Sequence, residues 1–401
     1  MIQNRDFIVI GIQAWDIDIG SNCKNIATEI ARHNRVLYVN PPLDRFTIWR
    51  GRNEPKIRKR IDIQQGKQAD LIKIEENLWN LNPIGVVESI NNIGIQWLYD
   101  LLNKRNNRIF ARSILSAANR LGFKDYVLFN DSSMFQGLYQ KELLKPTTYV
   151  YYMRDYLVKN PYWRRQGVRL EPQLIQKADV VVTNSTLYAD YGKQYNKHSY
   201  MVGQGCDVSL FDDVARHIEV APDLEGIPKP ILGYVGFLSS RRLDIPLLEK
   251  IATAMPKISM VLVGPEDDVF RASALHSMGN VFFLGAREPD TLPSYIKGFD
   301  VCMNPQLIND ATIGNYPRKI DEYLAMGKPV LATSTPAMSY FEDHTYLANG
   351  LEGYLENLDL ALLDNTPEKA TTRREYARSH TWENNVLAIY KHINDMQSPN
   401  P

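Results

Sequence analysis

Cysteine is scarce in this chain, charge of either sign is not in excess, and no long apolar run occurs. The three cysteines among 401 residues, Cys23, Cys206 and Cys302, form no metal-ligand spacing and suit a reduced, cytoplasmic setting. Lys+Arg and Asp+Glu number 46 each, so no global field favours nucleic acid, and an anionic ligand must be held by local groups. No segment approaches the roughly 18 apolar residues of a spanning helix. The apolar run in MIQNRDFIVIGI is too short for a secretory leader and lacks a cleavage signature. Between Gly11 and Gly20 there is no GxGxxG spacing, which argues against a nicotinamide dehydrogenase, and none of the seven histidines sits in a nucleophile setting.

What is present is core material, 44% hydrophobic residues, in a length that suggests two or three domains. Short apolar runs alternate with helical patterns: DFIVIGI, then 22–33, then RVLYVNPP. This is the grammar of strand–helix–strand units. The turn WDIDIGSNCKN carries Gly20 for close backbone approach, with Ser21 or Asn22 as a cap; it reads equally as an anion site or as an ordinary turn. A basic segment, 45–67, interleaves Phe46 and Trp49 with Arg50, Arg52, Lys56 and Arg58. It offers a peripheral membrane contact, against the alternative of an irregular, solvated charged loop.

Further strands are expected in DLIKIEENLWNLNP, YVLFND, TTYVYYMRD, ADVVVTNS and SYMVGQG, with one or two helices over 95–121. Several end in polar residues, which places Asp131, Arg154, Asp155, Asn184 and Ser185 around one rim of a parallel sheet. Asp155 is the candidate there for facing a substrate, although such residues are also common caps. The stretch 212–230 has little periodicity and reads as a linker. A second series of strand–helix units follows through ILGYVGFL, SMVLVGP, VFFLGA, FDVCM and PVLAT. Between the last two, Pro317 suits the first position of a helix that Gly327 and Pro329 end about three turns on. Its Ile320, Tyr323 and Leu324 form a buried face while Lys319 and Glu322 share another.

GYVGFLSSRRLD, VLVGP, NVFFLGAREPDTLPSYIKGFDVCMNP, EYLAMGKPV and SHTWENNV, in that order, resemble the landmarks of retaining GT-B glycosyltransferases of the family 4 type. The first-domain stretch AWDIDIGSNCKNIATEIARHNRVLYVNPP is similar to bacterial sugar transferases of teichuronic acid or surface polysaccharide assembly. The resemblance implies two Rossmann-like, doubly wound α/β domains facing a cleft: an acceptor-binding domain over 1–211, a linker over 212–230, a nucleotide-sugar domain over 231–380, and a helix over 381–401 that crosses back. It implies transfer of a hexose from a nucleotide diphosphate sugar to an acceptor hydroxyl, with retention and without a metal or cofactor. The acceptor is a saccharide or a lipid-linked one, and the setting cytoplasmic, peripheral on the inner face of the membrane.

By the same resemblance Arg242 and Lys319 hold the donor diphosphate and Glu322 the ribose hydroxyls. Charge-assisted bonds of this kind contribute about 1.5–3 kcal/mol each. Gly20, Gly236, Arg241, Gly314, Asn315 and Arg318 complete the donor set, with backbone donors expected near Gly236 and Gly314, and Asp155 orients the acceptor. Two positions depart from the pattern: Gly314 stands where many members carry an acidic residue, and Phe237 where an arginine is frequent. They leave open a nucleotide-sugar epimerase of the same fold and a non-catalytic nucleotide-binding partner subunit.

Overall fold

The computed structural model describes residues 1–17, 20–310 and 312–397. Asp18 and Ile19 of the first turn and the last four residues of the 381–401 segment lie outside the described residues. The chain forms two compact units, one from Met1–Gln204 with the segment from Trp382 onward, the other from Gly205–Thr381.

In the first unit the strands are β1 (Asp6–Ile10), β2 (Arg35–Val39), β3 (Leu71–Glu75), β4 (Leu78–Leu81), β5 (Val127–Asp131), β6 (Thr148–Met153), β7 (Val180–Thr183) and β8 (Ser199–Met201). They lie in the order β3-β4-β2-β1-β5-β6-β7-β8, parallel except for the β3–β4 hairpin. Strands covered on both faces must be apolar runs, as Phe7–Ile10 is after the opening Asp6. Ile8 and Ile10 enter one core and Phe7 and Val9 the other.

The C-terminal helix Trp382–Gln397 belongs to that second core through Val386, Ile389, Tyr390 and Ile393, the i, i+3, i+4, i+7 stripe of a one-faced helix. Burial of each such side chain contributes about 2 kcal/mol. Asn34 Nδ2 adds a 2.9 Å hydrogen bond to Tyr390 Oη.

The second unit has β9 (Ile231–Val235), β10 (Ser259–Val263), β11 (Val281–Gly285), β12 (Val301–Asn304), β13 (Val330–Thr333) and β14 (Tyr346–Ala348). Their order is β11-β10-β9-β12-β13-β14, all parallel. The winding reverses between β9 and β12, and ligands of such sheets bind beyond the strand carboxyl ends at that point. Both units are therefore Rossmann-like.

Four local expectations are corrected. The basic segment 45–67 is not irregular: it folds into helices Arg45–Gly51 and Pro55–Gln64, the first capped by Asp44, which accepts from the Phe46 and Thr47 amides. The 95–121 region, by contrast, agrees with expectation as one helix, Gln96–Leu121, ended by Gly122 at φ 65°. The stretch 212–230 is not a free linker, because Ala221 and Leu224 are buried in a core of the second unit and Asp213 and Asp223 pair with Lys297 and Arg287 at 2.9 and 2.6 Å. The boundary falls at Gln204, before residue 211. The helix expected from Pro317 is Lys319–Ala325, two turns long, with Gly327 (φ 71°) after it. Among the described residues no helix is long and apolar enough to cross a membrane.

Candidate functional site

A cavity of about 390 Å³ opens at the β9/β12 reversal of the second unit. Gly236 follows β9, Asn304 ends β12, and Asn315, Arg318, Lys319 and Glu322 enter from the loop and helix beyond. Ile320, Tyr323 and Leu324 are fully buried beneath that helix, which turns its Lys319 and Glu322 side toward the cavity. Tyr323 Oη accepts the Val235 amide at 2.9 Å and so fixes the helix to the end of β9.

Lys319 Nζ donates to Tyr234 Oη at 2.5 Å and lies 4.2 Å from the centroid of that ring. The ammonium is thereby held over the cavity floor while two of its three donors remain for a ligand. Space under it is kept by glycine. A Cβ on Gly236 (φ 140°) would lie 2.9 Å from Lys319 Nζ, and one on Gly264 (φ 150°) 1.9 Å from the Gly236 carbonyl oxygen. The Gly236 amide is already spent on Val263 O at 2.9 Å, so it is not the free backbone donor that the sequence suggested.

Arg242 is exposed on a turn pinned from two sides. Ser240 donates through its amide and hydroxyl to Asp267, and the Leu307 amide donates to Arg242 O at 2.7 Å. The guanidinium has no carboxylate partner among the described residues. Arg241 is not among the residues lining the cavity; its carbonyl accepts Asn309 Nδ2 at 3.2 Å and ties the turn to the loop after β12. Gly314 is buried in that loop.

Glu322 is half-buried, and its carboxylate makes no hydrogen bond among the described residues. Burial pushes its carboxyl above the usual range, against the opposing pull of Arg318 and Lys319. A carboxylate with no protein donor is ready to accept hydroxyls from a ligand. Behind it, Asp321 is fully buried and receives His380 Nδ1 at 2.7 Å and Tyr316 Oη at 2.9 Å. Burial also lifts the nearby Cys206 thiol to about 12, with Asp321 and Glu322 adding to the rise, so it is no thiolate nucleophile.

Among the lining residues that escaped sequence reasoning, Asn304 carries the clearest signal. Asn304 is 4% exposed, and its Nδ2 is buried without a partner, a donor left unmet at the head of β12. Its signal was available, since it is a polar residue at a strand's carboxyl end like Asp131 and Asn184. Among the described residues no three His, Cys, Asp or Glu side chains gather as a metal site.

Gly20 and Asp155 belong to the first unit. Among the described residues no atom lies within 4 Å of a Cβ built on Gly20, so their packing does not demand glycine there. Asp155 sits 3.3 Å from Arg154, whose guanidinium also holds the buried Asp131 at 2.9 Å. On the same rim Asn22 and Asn184 both donate to Gln204 Oε1, at 2.7 and 3.0 Å. Ser21 and Ser185 stand at helix N-cap positions, but their hydroxyls cap nothing and are buried without partners.

This cavity lies inside the segment 229–358, which matches the family model of glycosyl transferases group 1. The second unit carries a group 1 glycosyl transferase domain. Over 237 residues the chain is 27% identical to a Bacillus subtilis (strain 168) protein, TuaH, named as a teichuronic acid biosynthesis glycosyltransferase. That match covers 55% of this chain and 58% of the relative, so it spans little more than half of either. In fold, the chain resembles a sucrose-phosphate synthase from Thermosynechococcus elongatus (TM-score 0.63, 14% identity, 98% of this chain and 99% of that one). It also resembles Anabaena Alr3699/HepE solved with UDP-glucose (TM-score 0.57, 15% identity, 98% and 100%). Within the group 1 domain fall Gly236, Arg242, Lys319, Glu322 and the unpredicted Asn304.

Proposed function

We propose that the chain is a glycosyltransferase that moves a hexose from a nucleotide diphosphate sugar to an acceptor hydroxyl in bacterial polysaccharide or glycolipid assembly. The observation that carries the reading is the pairing, in one cavity, of two cations free to meet an anion with a carboxylate free to accept hydroxyls. Lys319 and Arg242 hold the diphosphate, and Glu322 holds the ribose. As the bond from the anomeric carbon to the diphosphate breaks, negative charge grows on the leaving oxygen, and prepositioned cations stabilise it at the least reorganisation. Asn304, Asn315, Arg318 and the Gly236 and Gly314 segments shape the sugar end, and Arg241 holds the turn. UDP in the solved fold relatives makes uridine the base to try first.

Retention and metal independence rest on the resemblance of the motifs. Asp155 is assigned to the acceptor side, and Gly20, on the same unit, to the donor. The acceptor is a saccharide, lipid-linked where the exposed basic and aromatic helices at 45–64 meet anionic headgroups, which sets the protein on the inner face of the cytoplasmic membrane.

The test is incubation with UDP-glucose and a panel of saccharide and lipid-linked acceptors, with and without EDTA, followed by proton NMR of the product. An α-linked product formed equally with EDTA is expected. Conversion of the donor sugar without any acceptor would assign an epimerase instead, and a β-linked product would reject retention.

A further inference from the structure

The Glu322 carboxylate has no hydrogen bond among the described residues to aim it at a ribose. Its direction is therefore set by the backbone of its helix, Lys319–Ala325, which is only two turns long. Helices this short are not stable alone in water, so tertiary anchors decide where they lie. This one is also weakly closed at its start. The Glu322 amide reaches Arg318 O only at 3.4 Å, beyond the usual range of about 2.7–3.2 Å. Arg318, at the N-cap position, supplies no side-chain cap.

The two neighbours of Glu322 supply the anchors. Tyr323 is one, through the 2.9 Å bond its hydroxyl accepts from the Val235 amide. Asp321 is the other. It is 0% exposed, yet among the described residues it pairs with no lysine or arginine. His380 Nδ1 lies 2.7 Å from its Oδ1 and Tyr316 Oη 2.9 Å from its Oδ2, one donor for each carboxylate oxygen. Burial pushes the carboxyl above its ordinary range, and these two bonds pull it back. A buried carboxylate that loses a donor must turn toward another or take up a proton. Either change falls one residue from Glu322.

His380 is itself fixed, although it stands 59 residues away in the chain. Its carbonyl accepts the Cys206 amide at 2.7 Å, and its ring stacks on Tyr340 with centroids 5.0 Å apart while Tyr376 meets it edge-on at 4.4 Å. Neither His380 nor Asp321 lines the donor cavity, so any effect of theirs on a ligand passes through their neighbours. Tyr316 does line it, so the same carboxylate also steadies the loop before the helix.

We infer that His380 is a positioning residue of the donor site, which through Asp321 holds Glu322 in the direction that ribose hydroxyls need. The inference rests on the assignment of Glu322 to the ribose and adds the residues that aim it. It predicts a selective effect. Lys319 has its own anchor on Tyr234 Oη, at 2.5 Å, and Arg242 stands on a different turn, so the hold on the diphosphate does not depend on His380. A hydrogen bond to a hydroxyl is directional, and ribose recognition is what suffers.

The test is calorimetric titration of UDP-glucose and its 2′-deoxyuridine analogue into the full chain and its His380→Phe variant, which keeps an aromatic ring and removes Nδ1. The wild type is expected to prefer UDP-glucose by about tenfold, the effect of one hydrogen bond to a charged group. In His380→Phe the preference is expected to fall below about threefold while affinity for the deoxy analogue stays within about twofold. A lost fold support alone would weaken both ligands together and leave their ratio intact. A folded His380→Phe that keeps the tenfold preference therefore overturns the inference and leaves the donor assignment standing. If that variant does not fold, Tyr316→Phe, which removes a single hydroxyl from the same carboxylate, decides by the same ratio. A wild type without the preference would reject the assignment of Glu322 to the ribose, and this inference with it.

Discussion

Lys319 Nζ donates to Tyr234 Oη at 2.5 Å and sits 4.2 Å from the centre of the same ring. The tyrosine fixes the position of the charge without neutralising it, as a carboxylate would. Replacing Lys319 by Ala removes the charge but not the helix packing, which rests on Ile320, Tyr323 and Leu324. Turnover with UDP-glucose is expected to fall by about 10²–10³-fold with an unchanged melting temperature. Near-normal kcat in a folded variant would remove Lys319 from the chemistry.

Gly264→Ala acts on the same point from behind. Its Cβ would come within 1.9 Å of Gly236 O, and φ 150° is itself strained for alanine. The second unit is expected to lose about 3 kcal/mol of stability, the upper end of single substitutions. Urea unfolding checks this, and a loss below about 0.5 kcal/mol would show that the two glycine turns do not need their close approach.

Much of this was legible in the sequence because parallel strands buried on both faces must be apolar runs, and their polar ends must point to one rim. Lys319 and Glu322 were placed together by spacing alone. Long-range pairing was not legible: nothing near Asp321 in the chain shows that His380 gives it a 2.7 Å bond. Nor did the aperiodic 212–230 stretch reveal that Ala221 and Leu224, isolated apolar residues, would anchor it in a core of the second unit. The basic segment seemed irregular because its charges obscured Asp44 as a cap and Pro55 as a helix start.

A buried acid in the first unit gives a pH signature. Glu171 accepts Tyr151 Oη at 2.8 Å, its other oxygen has no partner, and burial pushes its carboxyl from an ordinary 4.5 up to about 7. A folded-state value above the unfolded one means the stabilisation is complete below pH 4.5 and is lost as pH rises through 7. At about 1.4 kcal/mol per pH unit, the loss is about 3 kcal/mol. Glu171→Gln is expected to flatten this dependence and to be the more stable protein at pH 8. A denaturation series from pH 4 to 8 with parallel curves for the two proteins would contradict it.

Exposed Phe46 and Trp49 stand beside Arg50, Arg52 and Arg58, all exposed. If this face meets a membrane, Trp49→Ala with the three arginines changed to Glu should weaken co-sedimentation with phosphatidylglycerol vesicles by about a hundredfold or more, from roughly 1 kcal/mol per cation. Equal sedimentation of variant and wild type would assign these helices to solvent.

The most direct measurement is calorimetric titration of UDP-glucose and its 2′-deoxyuridine analogue into the wild type and Glu322→Ala. The wild type is expected to bind UDP-glucose about tenfold more tightly than the deoxy analogue, the effect of one hydrogen bond to a charged group. Glu322→Ala should bind both with the same, weaker affinity. A variant that keeps the wild-type preference, or a wild type that binds neither compound, would contradict the assignment of this cavity to the donor.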